Sequence, residues 1–123
     1  MKIIDSDQIP KSNGHYSMCI EHNGVLYISG QLPVHPDTKE IPKTIEEQTL
    51  MVLNKIKTIV AASGSQIDQI LQMRIYISDV DLWSSVNKVY ADFFKEHKPV
   101  RVVVPVSELH YGCLIEAEAT AFV

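Results

Sequence analysis

The sequence predicts an α+β fold, a mixed β-sheet with two helices laid on one of its faces. Three observations predict it. An Asn23-Gly24 pair separates two short apolar runs in the manner of a tight hairpin, two stretches repeat their apolar residues at helical spacing, and others alternate with the period of two that marks a strand. In chain order the elements read hairpin, helix, strand, helix, strand, strand.

Cys19-Ile20-Glu21-His22 and Val25-Leu26-Tyr27-Ile28-Ser29 form the hairpin, since Asn-Gly supplies the two left-handed residues of a type I′ turn. The proline-bearing segment Leu32 to Thr38 cannot donate a full ladder of hydrogen bonds and is expected to loop directly after Ser29-Gly30-Gln31. Thr44 and Glu47 have the spacing of a capping box, and Ile45, Val52, Leu53, Ile56, Ile59 and Val60 then share one face until Gly64, which predicts a helix over residues 45–62. Leu71, Met73, Ile75 and Ile77 alternate with Gln72, Arg74 and Tyr76, a strand with one polar face. Asp79 or Asp81 can cap a second helix, on which Leu82, Val86, Val89, Tyr90 and Phe93 share a face before His97 and Pro99 end it. Val100 to Val106 is a β-branched run broken only by Arg101 and Pro105, and Leu114 to Phe122 alternates Glu116, Glu118 and Thr120 with Ile115, Ala117, Ala119 and Ala121.

The 123 residues suit a single domain over positions 1–123, with no repeat or linker to divide it. Apolar residues at 46% and charged residues at 21% are those of an ordinary globular protein and argue against disorder. A formal charge of −4 gives no basic field, so no nucleic-acid partner is expected. Acidic residues interrupt the first apolar stretch, no run approaches a membrane span, and two isolated cysteines, Cys19 and Cys113, suit a reducing compartment, so a cytoplasmic protein without membrane contact is expected. Two helices on one face leave the other sheet face uncovered, which makes self-association the economical expectation.

A few residues stand out against this frame. Arg101 is a permanent cation heading Val102-Val103-Val104, in a strand whose composition favours burial, so it needs an anion. Glu116 or Glu118 could supply it through an internal ion pair, and so could a ligand carboxylate held by two parallel hydrogen bonds. Glu116 and Glu118, two apart on a strand, face one side. They either line a wet surface or include a carboxylate poised to orient or deprotonate a water. Tyr16, after Ser12-Asn13-Gly14-His15, reads as a packing residue at a rim or as part of a site, and Gly30 would let a backbone amide approach a ligand. His15, His22, His35, His97 and His110 have no ligand spacing and are expected on the surface and in loops, so a metal site has little support. No nucleophile elbow, phosphate-binding loop or dinucleotide fingerprint occurs.

Taken together, Gly14-His15-Tyr16-Ser17, Ile28-Ser29-Gly30-Gln31-Leu32-Pro33, Glu47-Gln48-Thr49, the run from Val86 to Phe94, Pro99-Val100-Arg101 and Ile115-Glu116-Ala117-Glu118-Ala119 stand in an order and spacing that resemble the RidA (YjgF/L-PSP) family of reactive-intermediate enamine/imine deaminases. The likeness runs from about residue 10 to the C-terminus. It implies a chorismate-mutase-like two-layer subunit assembled as a homotrimer, with small carboxylates bound in clefts between subunits and no cofactor. By residue matching it implies that Arg101 grips the substrate carboxylate and Glu116 positions the attacking water. Tyr16, Ser29, Gly30 and Asn87 would then line or support the cleft, with Tyr16 closing it, and Val103 would line it where the family often has Cys or Ala. It also implies that the last two strands are not neighbours, although the sequence alone could draw them as a hairpin about Leu109 with Arg101 opposite Glu116.

The departures bear on the substrate. His15 replaces the proline of Gly-Pro-Tyr, Val102 replaces the common serine after the arginine, and Leu109-His110-Tyr111 replaces Leu-Pro-Lys/Arg. These residues alter the size and polarity of the expected pocket. The implied activity is hydrolysis of 2-aminoacrylate, 2-iminopropanoate or 2-iminobutanoate to the 2-keto acid and ammonia. A 2-keto-acid-binding regulator is the alternative. A ribonuclease or translation inhibitor is disfavoured by the acidic charge and the absence of a basic, aromatic-interleaved stripe.

Overall fold

The computed structural model describes residues 1–123. Its strands are β1 (Lys2–Ile3), β2 (Cys19–His22), β3 (Val25–Gln31), β4 (Ile70–Ile77), β5 (Val100–Pro105) and β6 (Ile115–Phe122), and its helices are α1 (Ile45–Ala62) and α2 (Trp83–Phe94). They build one six-stranded sheet in the order β1-β2-β3-β6-β4-β5. All neighbours are antiparallel except β4 and β5, which run parallel because α2 carries the chain back across the sheet between them. The mixed sheet with two helices is therefore the α+β arrangement expected from the sequence. No helix is long and apolar enough to cross a membrane.

The hairpin turns where Asn23 and Gly24 both adopt positive φ, 52° and 75°. At the start of α1 the Glu47 backbone N–H donates to the Thr44 side chain at 3.1 Å, and the Thr44 hydroxyl donates to Glu47 Oε1 at 2.9 Å. Val52, Leu53, Ile56, Ile59 and Val60 are buried on the helix's inner face, each contributing about 1.5–3 kcal/mol. They meet Ala117, Ala119 and Ala121 of β6, whose small side chains let the helix lie close to the sheet.

Several local expectations are corrected. Leu71 is exposed, because the β4–β6 register shifts between Ile70 and Gln72 and Ile70 takes the inward place. Asp79 caps a short 3₁₀ turn at Val80–Leu82, accepting from the Asp81 N–H at 2.8 Å, and α2 begins only at Trp83. The inward residues of α2 are Val86, Tyr90 and Phe94, with Phe93 only partly covered. His97 lies in the loop after α2, as expected, but is half-buried there; its Nε2 lies 2.8 Å from the Ile70 carbonyl, so that nitrogen carries the donated proton. The strand β5 is not buried as its composition suggests. It is the sheet's edge, paired only with β4, and Val100, Val102 and Val104 are exposed. The two-residue strand β1 had no sequence signal.

Candidate active site

Strand alternation sorts the chemistry-bearing residues onto two faces. Met73 pairs with Arg101 and Ile75 with Val103, so Arg101 and Val103 share the helix-bearing face. Tyr76 pairs with Glu116 and Arg74 with Glu118, on the opposite face. Because β4 also lies between β5 and β6, Arg101 has no internal ion pair with either glutamate. The hairpin that would have set Arg101 opposite Glu116 does not form.

On the open face, Tyr16, Ser29, Gly30 and Glu116 line one cleft of about 1330 Å³. The β3–β6 register shifts between Ile28 and Gln31, and this irregularity brings the Gly30 backbone against the Glu116 side chain. A Cβ built on Gly30 would stand 2.6 Å from Glu116 Oε2, so glycine is required for this contact. Burial raises the Glu116 pKa above the ordinary carboxylate range, His110 pulls it back in part, and Glu118 pushes it up further. A half-buried carboxylate with heightened proton affinity, open to a cleft, is suited to take a proton from water. Glu118 is engaged differently: the Tyr76 hydroxyl donates to its Oε1 at 2.6 Å.

The Ser29 hydroxyl is directed at structure. It donates to the Ser17 carbonyl at 2.7 Å, and the Ser29 N–H donates to the Met18 carbonyl at 2.9 Å, fixing the segment that carries Tyr16. Tyr16 is half exposed at the cleft, and its hydroxyl donates to Asn13 Oδ1 at a long 3.4 Å.

Arg101, Asn87 and Val103 are outside this cleft. Arg101 Nη1 donates to Asn87 Oδ1 at 2.9 Å, and the guanidinium carbon lies 4.7 Å from the centroid of Tyr90 and 5.7 Å from that of Trp83. Trp83, Asn87 and Tyr90 are spaced i, i+4, i+7, so one face of α2 supplies the whole seat of the arginine. That spacing was readable in the sequence, but only once Arg101 was known to face α2. The Tyr90 hydroxyl is buried without a hydrogen-bond partner, and burial pushes its pKa to about 12, with Arg101 acting in the opposite sense. Within the chain the structure thus keeps the two apart, a carboxylate in a cleft and an arginine without a carboxylate partner.

Sequence reasoning also missed side chains around the carboxylate. His110 and Tyr111, known there only as departures from a family pattern, line the Glu116 cleft, as do His35 and Lys55. Tyr111 holds a φ of 61°, rare for a bulky residue, at the turn that presents it. Nowhere do three or more His, Cys, Asp or Glu residues gather closely enough to hold a metal ion.

A two-layer subunit with a glutamate laid against a glycine bulge and an arginine on the outermost strand defines a class of small α+β proteins with an open, carboxylate-bearing cleft. The model of the family described as Endoribonuclease L-PSP matches residues 6–123, and the chain belongs to that family, the one also called RidA or YjgF. A RutC family protein of Pyrococcus horikoshii is 40% identical over 122 residues, covering 98% of this chain and 97% of its own. TdcF of Escherichia coli, a relative named as a candidate reactive intermediate deaminase, is 35% identical over 123 residues, 98% of this chain and 95% of its own. The crystal structure of E. coli TdcF with bound serine superposes with a TM-score of 0.93 at 34% identity, covering 100% of this chain and 99% of that one. YyfA of Yersinia pestis, of the Rid family, gives 0.93 at 40% identity, with 99% and 98% covered.

Proposed function

We propose that this protein hydrolyses the enamine and imine products of amino-acid elimination, 2-aminoacrylate and its tautomer 2-iminopropanoate or the homologous 2-iminobutanoate, to 2-keto acids and ammonia. The observation that carries the reading is Glu116, a carboxylate of raised proton affinity held against the Gly30 backbone in a cleft. Family membership and the name borne by TdcF point the same way.

The substrate carboxylate would be held by Arg101, whose planar fork offers two parallel donors and which no carboxylate of its own subunit neutralises. The reaction proceeds from the imine, whose C2 carbon is electrophilic. Glu116 takes a proton from a water as the water oxygen bonds to C2. It then returns that proton to the nitrogen, which has taken up the C=N π pair, and next carries the carbinolamine hydroxyl proton to the same nitrogen as the C=O bond forms and the C–N electron pair leaves with ammonia. No covalent enzyme intermediate is needed, and positioning with one proton shuttle suffices for an imine that already hydrolyses in water.

The two half-sites are separated within a subunit, and a homotrimer would reunite them. The uncovered sheet face and the exposed valines of β5 suit packing against a neighbour, so that Arg101 of one subunit would complete the Glu116 cleft of the next. The test is ammonia release from 2-aminoacrylate generated by a pyridoxal-phosphate dehydratase. Acceleration over the buffer rate is expected, and a protein that binds 2-keto acids without accelerating release would be a sensor and would overturn the deaminase reading.

A further inference from the structure

The Glu116 cleft contains a second charged group that the proposed mechanism does not use. Lys55, from the middle of α1, is half-buried, and its Nζ donates to the carbonyls of Leu32 at 2.7 Å and Val34 at 3.1 Å. An ammonium has three donors, so one N–H remains. Lys55 lines the same cleft as Glu116. Burial raises the proton affinity of the Cys113 thiol, Glu116 raises it further and Lys55 lowers it, so both charged groups act on one side chain.

The bonded partners of Lys55 carry no negative charge. Burial lowers its pKa and the Lys39 ammonium lowers it further, while no carboxylate acts on it; only the Cys113 thiol opposes these effects, and burial keeps that thiol protonated. Lys39 lines the cleft too and donates from its Nζ to the Pro36 carbonyl at 2.8 Å. Two ammonium groups therefore hold the 32–36 loop by its carbonyls; Asp7, Asp37 and Glu116 line the same cleft, but neither lysine donates to a carboxylate. Lys39 is exposed, but Lys55 is half-buried, and a partly desolvated ammonium bonded only to carbonyls gains from an incoming anion.

We propose that Lys55 forms an anion subsite of the cleft that selects 2-imino acids bearing a second carboxylate on the side chain, the four- and five-carbon dicarboxylic imines. This rests on the deaminase reading: the carboxylate next to the imine goes to Arg101, C2 faces Glu116, and the distal carboxylate takes the free N–H of Lys55. Lys39 supplies long-range attraction. Specificity of this sort comes from one charge-assisted hydrogen bond made only by the dicarboxylic substrate.

Two measurements on the intact protein test it. In calorimetry, 2-oxoglutarate should bind at least about tenfold more tightly than 2-oxobutanoate. In initial-rate assays, the imines formed in situ by oxidases from glutamate and from 2-aminobutyrate should show the same order of kcat/KM. Lys55→Gln should reduce the binding ratio to within about threefold of unity, although its amide can still donate to the loop carbonyls, and Lys55→Arg should retain most of the preference. Thermal melts establish that each variant is folded. Equal binding of the two keto acids by the unaltered protein, or a preference that survives in Lys55→Gln, overturns the subsite. If 2-iminobutanoate is hydrolysed with no dicarboxylate preference, the subsite falls and the deaminase stands. If 2-oxoglutarate binds through Lys55 but no imine is hydrolysed, the subsite stands and the deaminase reading falls.

Discussion

Gly30 sets where the carboxylate of Glu116 lies: a side-chain carbon at position 30 would stand 2.6 Å from Oε2 of that glutamate and 3.2 Å from its Cδ. The group in the way is the far end of a flexible side chain, so a methyl group there would displace the carboxylate and leave the backbone undisturbed. Gly30 does not adopt a positive φ, which removes backbone strain from the comparison.

Gly30→Ala is therefore expected to change stability little, by less than about 1 kcal/mol, while lowering turnover by about tenfold or more because the proton acceptor is misplaced. Thermal melts and ammonia-release kinetics on one preparation check both halves. A fully active Gly30→Ala protein would show that the carboxylate need not lie against this backbone.

Glu116→Gln separates catalysis from stability more sharply. Burial raises the native pKa of Glu116 above its unfolded value. As pH rises from the ordinary carboxylate range through that native pKa, the folded protein retains a proton the unfolded chain has lost, so ionised Glu116 costs stability above this window. The glutamine variant should lose most activity, keep its affinity for 2-keto acids, and match or exceed the wild-type melting temperature at neutral pH. The acid limb of wild-type kcat should fall above the ordinary carboxylate range. Glu118→Gln, which alters the partner of the Tyr76 hydroxyl and removes only the least of the influences on Glu116, should retain most activity. Exchange of the two phenotypes would reverse the assignment.

What was legible in the sequence follows from the range of the forces involved. The turn at Asn23-Gly24, the cap at Thr44 and the inner face of α1 rest on neighbours within a few residues, and the structure matches them closely. Leu71 looked inward because alternation assumes an unbroken register, and one shift between Ile70 and Gln72 reverses its face. The insertion of β4 between β6 and β5 is a non-local choice with no local signature, so the residues alone could not separate Arg101 from Glu116. Lys55 was invisible for the same reason, since its partners, Leu32 and Val34, are backbone carbonyls on a distant loop.

The Tyr90 hydroxyl gives a test of packing around the arginine. It is buried without a partner, and an unsatisfied hydroxyl is destabilising by about 1–3 kcal/mol. Tyr90→Phe should leave the ring beneath Arg101 in place and raise the melting temperature. A drop instead would mean that the hydroxyl gains a partner in the assembled protein.

Assembly can be probed at the sheet's edge. Val102 and Val104 are exposed on the same face as Glu116 and Glu118, a combination that covering by a neighbour would relieve. Light scattering should give the mass of a trimer, and Val102→Asp should shift it to smaller species and abolish activity together. A wild-type monomer at micromolar concentration would leave Arg101 unable to reach the Glu116 cleft.

Arg101→Lys distinguishes a ligand clamp from a structural cation. In its own subunit Arg101 touches Asn87 and the faces of Tyr90 and Trp83, and no carboxylate. Lysine keeps the charge and can still lie over an aromatic ring, so the fold should lose about 1 kcal/mol or less. What lysine cannot reproduce is the planar pair of donors that fixes a carboxylate in one orientation. Loss of one charge-assisted bond, about 1.5–3 kcal/mol, should lower kcat/KM by about tenfold to a hundredfold. Most of the loss should fall on KM, since the substrate carboxylate is gripped before and during reaction alike. Asn87→Ala should produce a weaker version of the same change, because Asn87 acts only by holding the guanidinium. A destabilised Arg101→Lys protein with undiminished kcat/KM would assign the arginine to the fold and leave the substrate carboxylate without a partner.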